Sequence, residues 1–169
     1  MDDQFYLRFE NRFRGTREEI TRRLGFYRPF VRALGALLPD RRALDLGCGR
    51  GEWLQLLTAE GFQARGVDCN EAMLTTCRDL GLQVEHGSVP FFLKELEDNS
   101  LELVSAFHLV EHLGFDEVLT LVGEAYRVLT PGGLLILETP NPENILVASF
   151  GFHMDPTHRR PLPPALLDF

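Results

Sequence analysis

Three glycines at alternating positions, Gly47, Gly49 and Gly51, lie within Ala43-Leu44-Asp45-Leu46-Gly47-Cys48-Gly49-Arg50-Gly51-Glu52-Trp53-Leu54. They follow a short apolar run and precede a helical pattern. A strand-to-helix turn of this kind lets the backbone lie against a ligand with no Cβ atoms in the way. The carboxylate of Asp45 sits inside the strand, before the glycines. It would repel a pyrophosphate and hold a cationic group, so the turn points to a nucleoside with a positively charged tail. Asp68 closes the next short apolar run, where a carboxylate accepts hydrogen bonds from both vicinal hydroxyls of a ribose. The turn alone is a weak signal; the turn and Asp68 together are a strong one.

The elements that must position these groups alternate along the chain. Thr16 followed by Glu19 is a capping-box signature, and Ile20, Leu24, Val31 and Leu34 continue at roughly helical spacing. This predicts a helix over 17–37, interrupted near Pro29. Strands are expected at 43–47, 64–68, 83–86, 101–107 and 134–139. Helices are expected at 51–60, 70–80, 90–97 and 115–129, the last ended by Pro131-Gly132-Gly133. Such alternation indicates an α/β fold, a doubly wound parallel sheet with helices on both faces. Ligands then collect at the carboxyl ends of the strands. Residues 1–41 read as a helical N-terminal segment, 42–141 as the cofactor-binding core, and 142–169 as a loop in which a helix begins at Pro164.

Bulk properties narrow the function. A chain of 169 residues with 44% apolar and 25% charged residues fits one soluble domain. The net charge of −8 argues against a nucleic-acid surface. The arginines near the N-terminus read as a solvated helix face. Cys48, Cys69 and Cys77 lack any CxxC spacing, so neither a zinc site nor a disulfide framework is suggested. No run is apolar enough to cross a bilayer and no signal peptide is recognisable, so a cytoplasmic location is expected.

Leu44-Asp45-Leu46-Gly47-Cys48-Gly49-Arg50-Gly51 resembles the first motif of class I S-adenosylmethionine-dependent methyltransferases. Gly66-Val67-Asp68 resembles their ribose-binding motif, and Leu129-Thr130-Pro131-Gly132-Gly133-Leu134-Leu135 the turn before their fifth strand. The likeness covers about residues 40–140. It implies a Rossmann-like sheet of order 3-2-1-4-5 and S-adenosyl-L-methionine as cofactor. Gly47 and Gly49 would pack on its methionine part, Asp45 would sit near its ammonium, and Cys48 and Gly51 complete the turn. Asp68 would hold the ribose, and Cys69 and Met73 would flank the adenine. Gly87-Ser88-Val89 stands where the family places an acidic residue with a small neighbour, so Ser88 and Val89 are expected near the adenine amine. Arg14 would reach the cofactor carboxylate, as basic N-terminal residues do in similar enzymes.

The fourth strand ends in Phe107-His108-Leu109-Val110-Glu111-His112-Leu113, where related enzymes present the acceptor to the sulfonium. Phe107 is expected at the cofactor. His108, near its ordinary pKa of about 6.5, is the candidate base for an oxygen acceptor, or else a group that shapes the pocket. Small-RNA and ubiquinone-pathway methyltransferases carry Glu-x-x-Glu-His here, and some bind a divalent metal. That raises His108, Glu111 and His112 as a ligand set. The reading favoured is that Glu111 and His112 order the loop by hydrogen bonding, with no metal.

Arg159 and Arg160 could pair with an anionic acceptor. Glu10-Asn11-Arg12-Phe13-Arg14-Gly15 and Asp155-Pro156-Thr157-His158-Arg159-Arg160-Pro161 resemble a bacterial subgroup associated with polysaccharide and lipopolysaccharide assembly, which implies a saccharide or sugar-phosphate acceptor. The family's usual C-terminal strand pair has no counterpart here. The fifth strand would then be an open apolar edge, which implies a truncated piece of a longer protein or a homodimer across that edge. A module that binds cofactor without turnover is the alternative function; a nicotinamide dehydrogenase is disfavoured by Asp45 and by Pro131-Gly132-Gly133.

Overall fold

The computed structural model describes residues 2–168, the side chain of Pro90 excepted. Its centre is a five-stranded parallel sheet of order β3-β2-β1-β4-β5, as the sequence predicts. The strands are β1 (Arg42–Leu46), β2 (Gln63–Asp68), β3 (Gln83–His86), β4 (Leu101–Phe107) and β5 (Leu129–Glu138). All seven residues of β4 are buried, as expected of a parallel strand covered on both faces.

Helices cover both faces. In chain order they are α1 (Asp3–Phe13), α2 (Arg17–Leu24), α3 (Arg28–Leu37), α4 (Glu52–Ala59), α5 (Glu71–Asp79), α6 (Val89–Phe92), α7 (Phe115–Val128), α8 (Ile145–Ser149) and α9 (Pro164–Leu167). Side chains of β4 alternate between two cores. Val104 and Ala106 join Val118, Leu121, Ala125 and Val128 of α7. Leu103 and Phe107 join Ile20 and Leu24 of α2, Val31 and Leu34 of α3, and Trp53 and Leu57 of α4.

Several boundaries differ from expectation, each for a local reason. The helix expected over 17–37 is divided by a 3-10 turn, Gly25–Tyr27. Pro29 then falls in the first turn of α3, where its missing N–H costs nothing. The Thr16 capping box forms as predicted: Thr16 Oγ1 accepts from Glu19 N at 3.3 Å and Thr16 N donates to Glu19 Oε2 at 2.9 Å. The helix expected over 90–97 is only α6 followed by a 3-10 turn, Leu93–Glu95. β5 begins at Leu129, before the Pro131-Gly132-Gly133 turn. The extra residues are taken up as a bulge, since Leu101 pairs with Leu129 but Leu103 pairs with Leu134. Beyond residue 141 the expected loop contains α8 and a 3-10 turn, Gly151–Met154. Among the described residues β5 pairs with β4 alone, so its outer edge is open. Among the described residues, no helix is long and apolar enough to cross a membrane.

α1 falls within the N-terminal segment expected to be helical, but its bounds were not predicted. Asp2 caps it by accepting from Gln4 N at 3.3 Å. None of its residues is fully buried. It lies across the carboxyl ends of the strands and is held there by polar contacts. Asp3 Oδ2 accepts from Glu71 N at 3.0 Å, and Arg50 Nη1 donates to Asn11 Oδ1 at 2.7 Å. Tyr6 Oη donates to Asp155 Oδ2 at 2.9 Å, joining α1 to the loop after β5.

Gly51 has a φ of +80° and forms the N-cap of α4. A Cβ there would come within 2.5 Å of Leu82 Cδ1 and 2.9 Å of Cys77 Sγ. Gly51→Ala is therefore expected to destabilise the domain by about 1–3 kcal/mol, through backbone strain and overpacking together. Urea denaturation checks this, and an unchanged midpoint would show that α5 can yield at this point.

Candidate active site

Two chambers open at the carboxyl ends of the strands, with volumes of about 300 and 620 Å³. The smaller is formed by the glycine turn after β1, the end of β2 and the start of α5. Gly47 and Gly49 are both left-handed, with φ of +66° and +52°. A Cβ on Gly49 would point toward Arg14 Nη1 and Met73 Sδ, each 3.8 Å away, so the missing side chain is what leaves room for a ligand. Asp68 fixes this geometry. Its Oδ2 accepts from Gly49 N at 2.9 Å and its Oδ1 from Asn70 N at 2.8 Å. Each oxygen keeps a lone pair for a ribose hydroxyl. Burial pushes the Asp68 carboxyl up, and the two backbone N–H groups oppose that shift.

Of the residues expected here, Arg14, Gly47, Gly49, Asp68, Cys69, Met73, Val89 and His108 line the smaller chamber. Others do not. Asp45 is buried beneath the turn and accepts from Ser105 Oγ at 2.7 Å, while Trp53 Nε1 donates to that same oxygen at 2.8 Å. Burial pushes its carboxyl up to about 7, against the pull of Ser105 and Arg14. Cys48 packs inward with Leu54 and Leu74, and its thiol is pushed up by its hydrogen bond with Cys77 and by burial. Gly51 serves the α4–α5 packing described above. Ser88 is exposed and off the wall. Phe107 lines the larger chamber, packed edge-on against Tyr27 and Trp53 at 5.2 and 4.9 Å between ring centroids.

Tyr6, Glu10, Arg14, His108 and His112 belong to the walls of both chambers, so the two meet at this point. Glu10 Oε1 accepts from Arg14 Nη1 at 2.9 Å, which leaves the rest of the guanidinium for an anionic group. The larger chamber is mostly apolar and aromatic. Phe9, Phe13, Leu24, Phe107, Phe150 and Met154 are among its lining, with Glu138 as a polar group at the end of β5.

His108 has a left-handed φ of +54°, a strained conformation for a residue other than glycine. Its Nδ1 faces Glu111 Oε1 and its Nε2 faces Glu138 Oε1, each at 3.3 Å. Burial disfavours the imidazolium, but the two carboxylates overcome this and hold it up at about 9. The expectation of a neutral base near 6.5 is thereby corrected: at neutral pH His108 is a cation with both nitrogens engaged. Tyr27 Oη also donates to Glu138 Oε2, at 2.5 Å.

The set weighed for a metal is also rearranged. Glu111, His112 and His158, rather than His108, bring ligand atoms within 4.8 Å of one another. Each is already engaged by protein. Glu111 Oε2 accepts from Thr139 Oγ1 at 2.9 Å, His158 Nδ1 lies 2.6 Å from Phe152 O, and His112 Nδ1 lies 2.8 Å from Thr157 Oγ1. These bonds order the loop after β4, in line with the role expected of Glu111 and His112. Arg159 and Arg160 are turned away from both chambers. Arg159 pairs with Glu117 at 3.2 Å, and Arg160 lies 4.4 Å over the Phe115 ring.

Sequence reasoning missed Asp3, Tyr6, Asn70, Glu138 and Thr157. Tyr6, Phe9 and Phe13 do follow helical spacing, which could have placed α1. Asn70 is an N-cap, accepting from Met73 N at 3.1 Å.

Fold and site define an α/β domain that holds a nucleoside with a zwitterionic tail at the carboxyl ends of a parallel sheet. Comparison with known proteins is specific on this point. Residues 44–137 match the family described as methyltransferase domain. A ubiquinone biosynthesis O-methyltransferase of Hahella chejuensis is 30% identical over 69% of this chain and 51% of its own length. A probable S-adenosylmethionine-dependent methyltransferase of Mycolicibacterium smegmatis is 33% identical over 60% of this chain and 38% of its own. The crystal structure of a SAM dependent methyltransferase from Archaeoglobus fulgidus superposes with a TM-score of 0.88 at 37% identity, covering 98% of this chain and 71% of that one. The chain belongs to the class I S-adenosylmethionine-dependent methyltransferase superfamily. It spans about half the length, or less, of the curated relatives it matches.

The residues present fit that cofactor. Asp68 would hold the ribose, Met73 and Val89 would lie along the base, and Arg14 would face the carboxylate over Gly49. Removing the Asp68 carboxylate forfeits charge-assisted hydrogen bonds worth about 1.5–3 kcal/mol each. Asp68→Ala should therefore bind S-adenosylhomocysteine at least tenfold more weakly by calorimetry, with unchanged circular dichroism; equal affinity would show that the ribose is held elsewhere.

His108 has a pH signature. Its folded value, about 9, lies above its ordinary 6.5. The stability it contributes is thus fully present below about pH 6.5 and lost as pH rises through about 9. Histidine NMR should show one imidazolium persisting to about that pH, absent in His108→Gln, and the variant should lose the corresponding decline in stability. An ordinary titration for all histidines would disprove the two-carboxylate clamp.

Proposed function

We propose that this chain is the cofactor-binding core of an enzyme that transfers the methyl group of S-adenosylmethionine to an oxygen acceptor. The observation that carries this reading is the junction of the two chambers at His108, His112 and Arg14, a geometry that would suit a donor in one chamber and an acceptor in the other. When bound, the cofactor supplies a methyl carbon already activated by its sulfonium. The protein's part is alignment and exclusion of water. Gly47, Gly49 and Asp68 set the donor's position, and α1 roofs the junction.

The acceptor chamber favours a hydroxyl carried on a ring or hydrocarbon, such as a phenol, over a bare saccharide. Its aromatic lining supports this, as does the engagement of Arg159 and Arg160 away from it. The names of the O-methyltransferase relatives agree with an oxygen acceptor. A saccharide with a large apolar aglycone would also suit these walls.

The test pairs calorimetry with transfer of a radiolabelled methyl group. S-adenosylhomocysteine should bind, and label should pass to catechol but not to a sugar phosphate. Cofactor binding with no transfer to any hydroxyl compound would instead leave a module without turnover.

A further inference from the structure

Of the two histidines that line both chambers, His112 is the one with a ring nitrogen, Nε2, that makes no hydrogen bond to protein among the described residues. His108 touches the same space, but both of its nitrogens face carboxylates at 3.3 Å. His112 lines both chambers and binds protein through Nδ1, at 2.8 Å from Thr157 Oγ1.

The direction of that bond follows from proton counting. Thr157 has a single hydroxyl proton, and its Oγ1 donates to Asp155 Oδ1 at 2.6 Å. Asp155 is ionised: despite burial, its carboxyl is held below the usual range by Thr157 and Tyr6. Oγ1 can therefore only accept from His112, which must carry its proton on Nδ1. Nε2 is left with a lone pair. The Asp155–Thr157–His112 series orients an imidazole through a third group, the logic by which a general base is positioned.

We infer that His112 is the general base that takes the acceptor's hydroxyl proton at Nε2, with Thr157 as the residue that fixes its tautomer. This rests on the oxygen-acceptor reading above. The acceptor O–H bond breaks and its proton passes to Nε2. The oxygen's electron pair forms the new bond to the methyl carbon, and the C–S bond breaks to release neutral S-adenosylhomocysteine. The proton on Nε2 then leaves to solvent. Glu111 on the same turn, and Asp155 across the loop, supply negative charge for the imidazolium formed. His158, whose ring centroid is 4.7 Å away, opposes it, and His108 completes the titratable surroundings. Burial and His158 hold His112 below its ordinary value despite Glu111, so it is neutral and ready to accept.

Two measurements on the full chain with S-adenosylhomocysteine or S-adenosylmethionine decide the matter. In nitrogen-15 NMR near neutral pH, the signals lost in His112→Gln should report the Nδ1–H tautomer, and Thr157→Val should shift them toward Nε2–H. An Nε2–H tautomer in the parent, or no change in Thr157→Val, overturns the inference. In methyl transfer, His112→Gln should lose about 10²–10⁴-fold in kcat/KM with catechol, whose hydroxyls are protonated. It should lose under about tenfold with nitrocatechol, which is already ionised in the assay and needs no base. Equal losses on both acceptors mean that His112 only shapes the site. Loss of activity on chelation, restored by zinc, would assign the histidine to a metal instead and overturn the proposal. If the parent methylates neither probe, the phenolic-acceptor reading fails, while the tautomer result still decides the geometry of His112.

Discussion

The carboxylate of Asp68 governs this architecture. With one oxygen it accepts from Gly49 N and with the other from Asn70 N. Two parallel strands thereby end in one rigid corner. An ionised group in so dry a place is costly unless both oxygens are satisfied, and backbone N–H groups satisfy them here without spending any side chain. Gly49 must then remain left-handed to present its N–H, and α5 must begin at Asn70. The position of α5 in turn presses Leu82 and Cys77 against Gly51. One buried carboxylate thus ties the end of β2 to the glycine turn after β1 and to the first residue before α5.

A second set of buried charges organises the opposite side of the junction. Glu111 is fully buried, yet it meets His108 through one oxygen and Thr139 through the other. His108 connects onward to Glu138 and thence to Tyr27. The left-handed turn at His108 aims its ring between two carboxylates, and that double pairing holds the turn against its backbone cost. The same chain of contacts explains why two histidines four residues apart differ in chemistry. One has two anionic neighbours at its nitrogens, whereas the other has a neutral hydroxyl.

Much of the fold was legible because strand ends and helix starts are written locally. Helical patterns stopped by Gly61, Gly81 and Pro131 mark the strand and helix order without any knowledge of packing, and Thr16 with Glu19 marks a cap. The site was legible where function requires one residue type in one local place, as at Gly49 and Asp68. It was not legible where the same residue type serves two ends. Gly51 and Cys48 share the motif of Gly47 and Gly49, but they pack against Cys77 and Leu74 of α5 and Leu82 just beyond it, contacts that no spacing reports. The tautomer of His112 depends on Thr157, distant in sequence. The protonation of His108 depends on Glu138, which sits on the next strand. The bounds of α1 and its place over the site were not legible, because its aromatic face looks into chambers rather than into a core and none of its residues is fully buried.

The Tyr6–Asp155 bond closes a loop of nearly the whole polypeptide, yet it joins two of its least independent segments. An eleven-residue helix without a buried side chain is a poor helix by itself. The loop carrying Asp155 holds α8 and a 3-10 turn and is pinned on either side of Asp155 by the buried Phe152 and Leu162. α1 therefore takes that loop as its scaffold. Asp155 is also the carboxylate that receives the Thr157 proton. The chemical poise of an imidazole at the junction of the chambers is thus tethered to whether α1 and the loop after β5 are clasped.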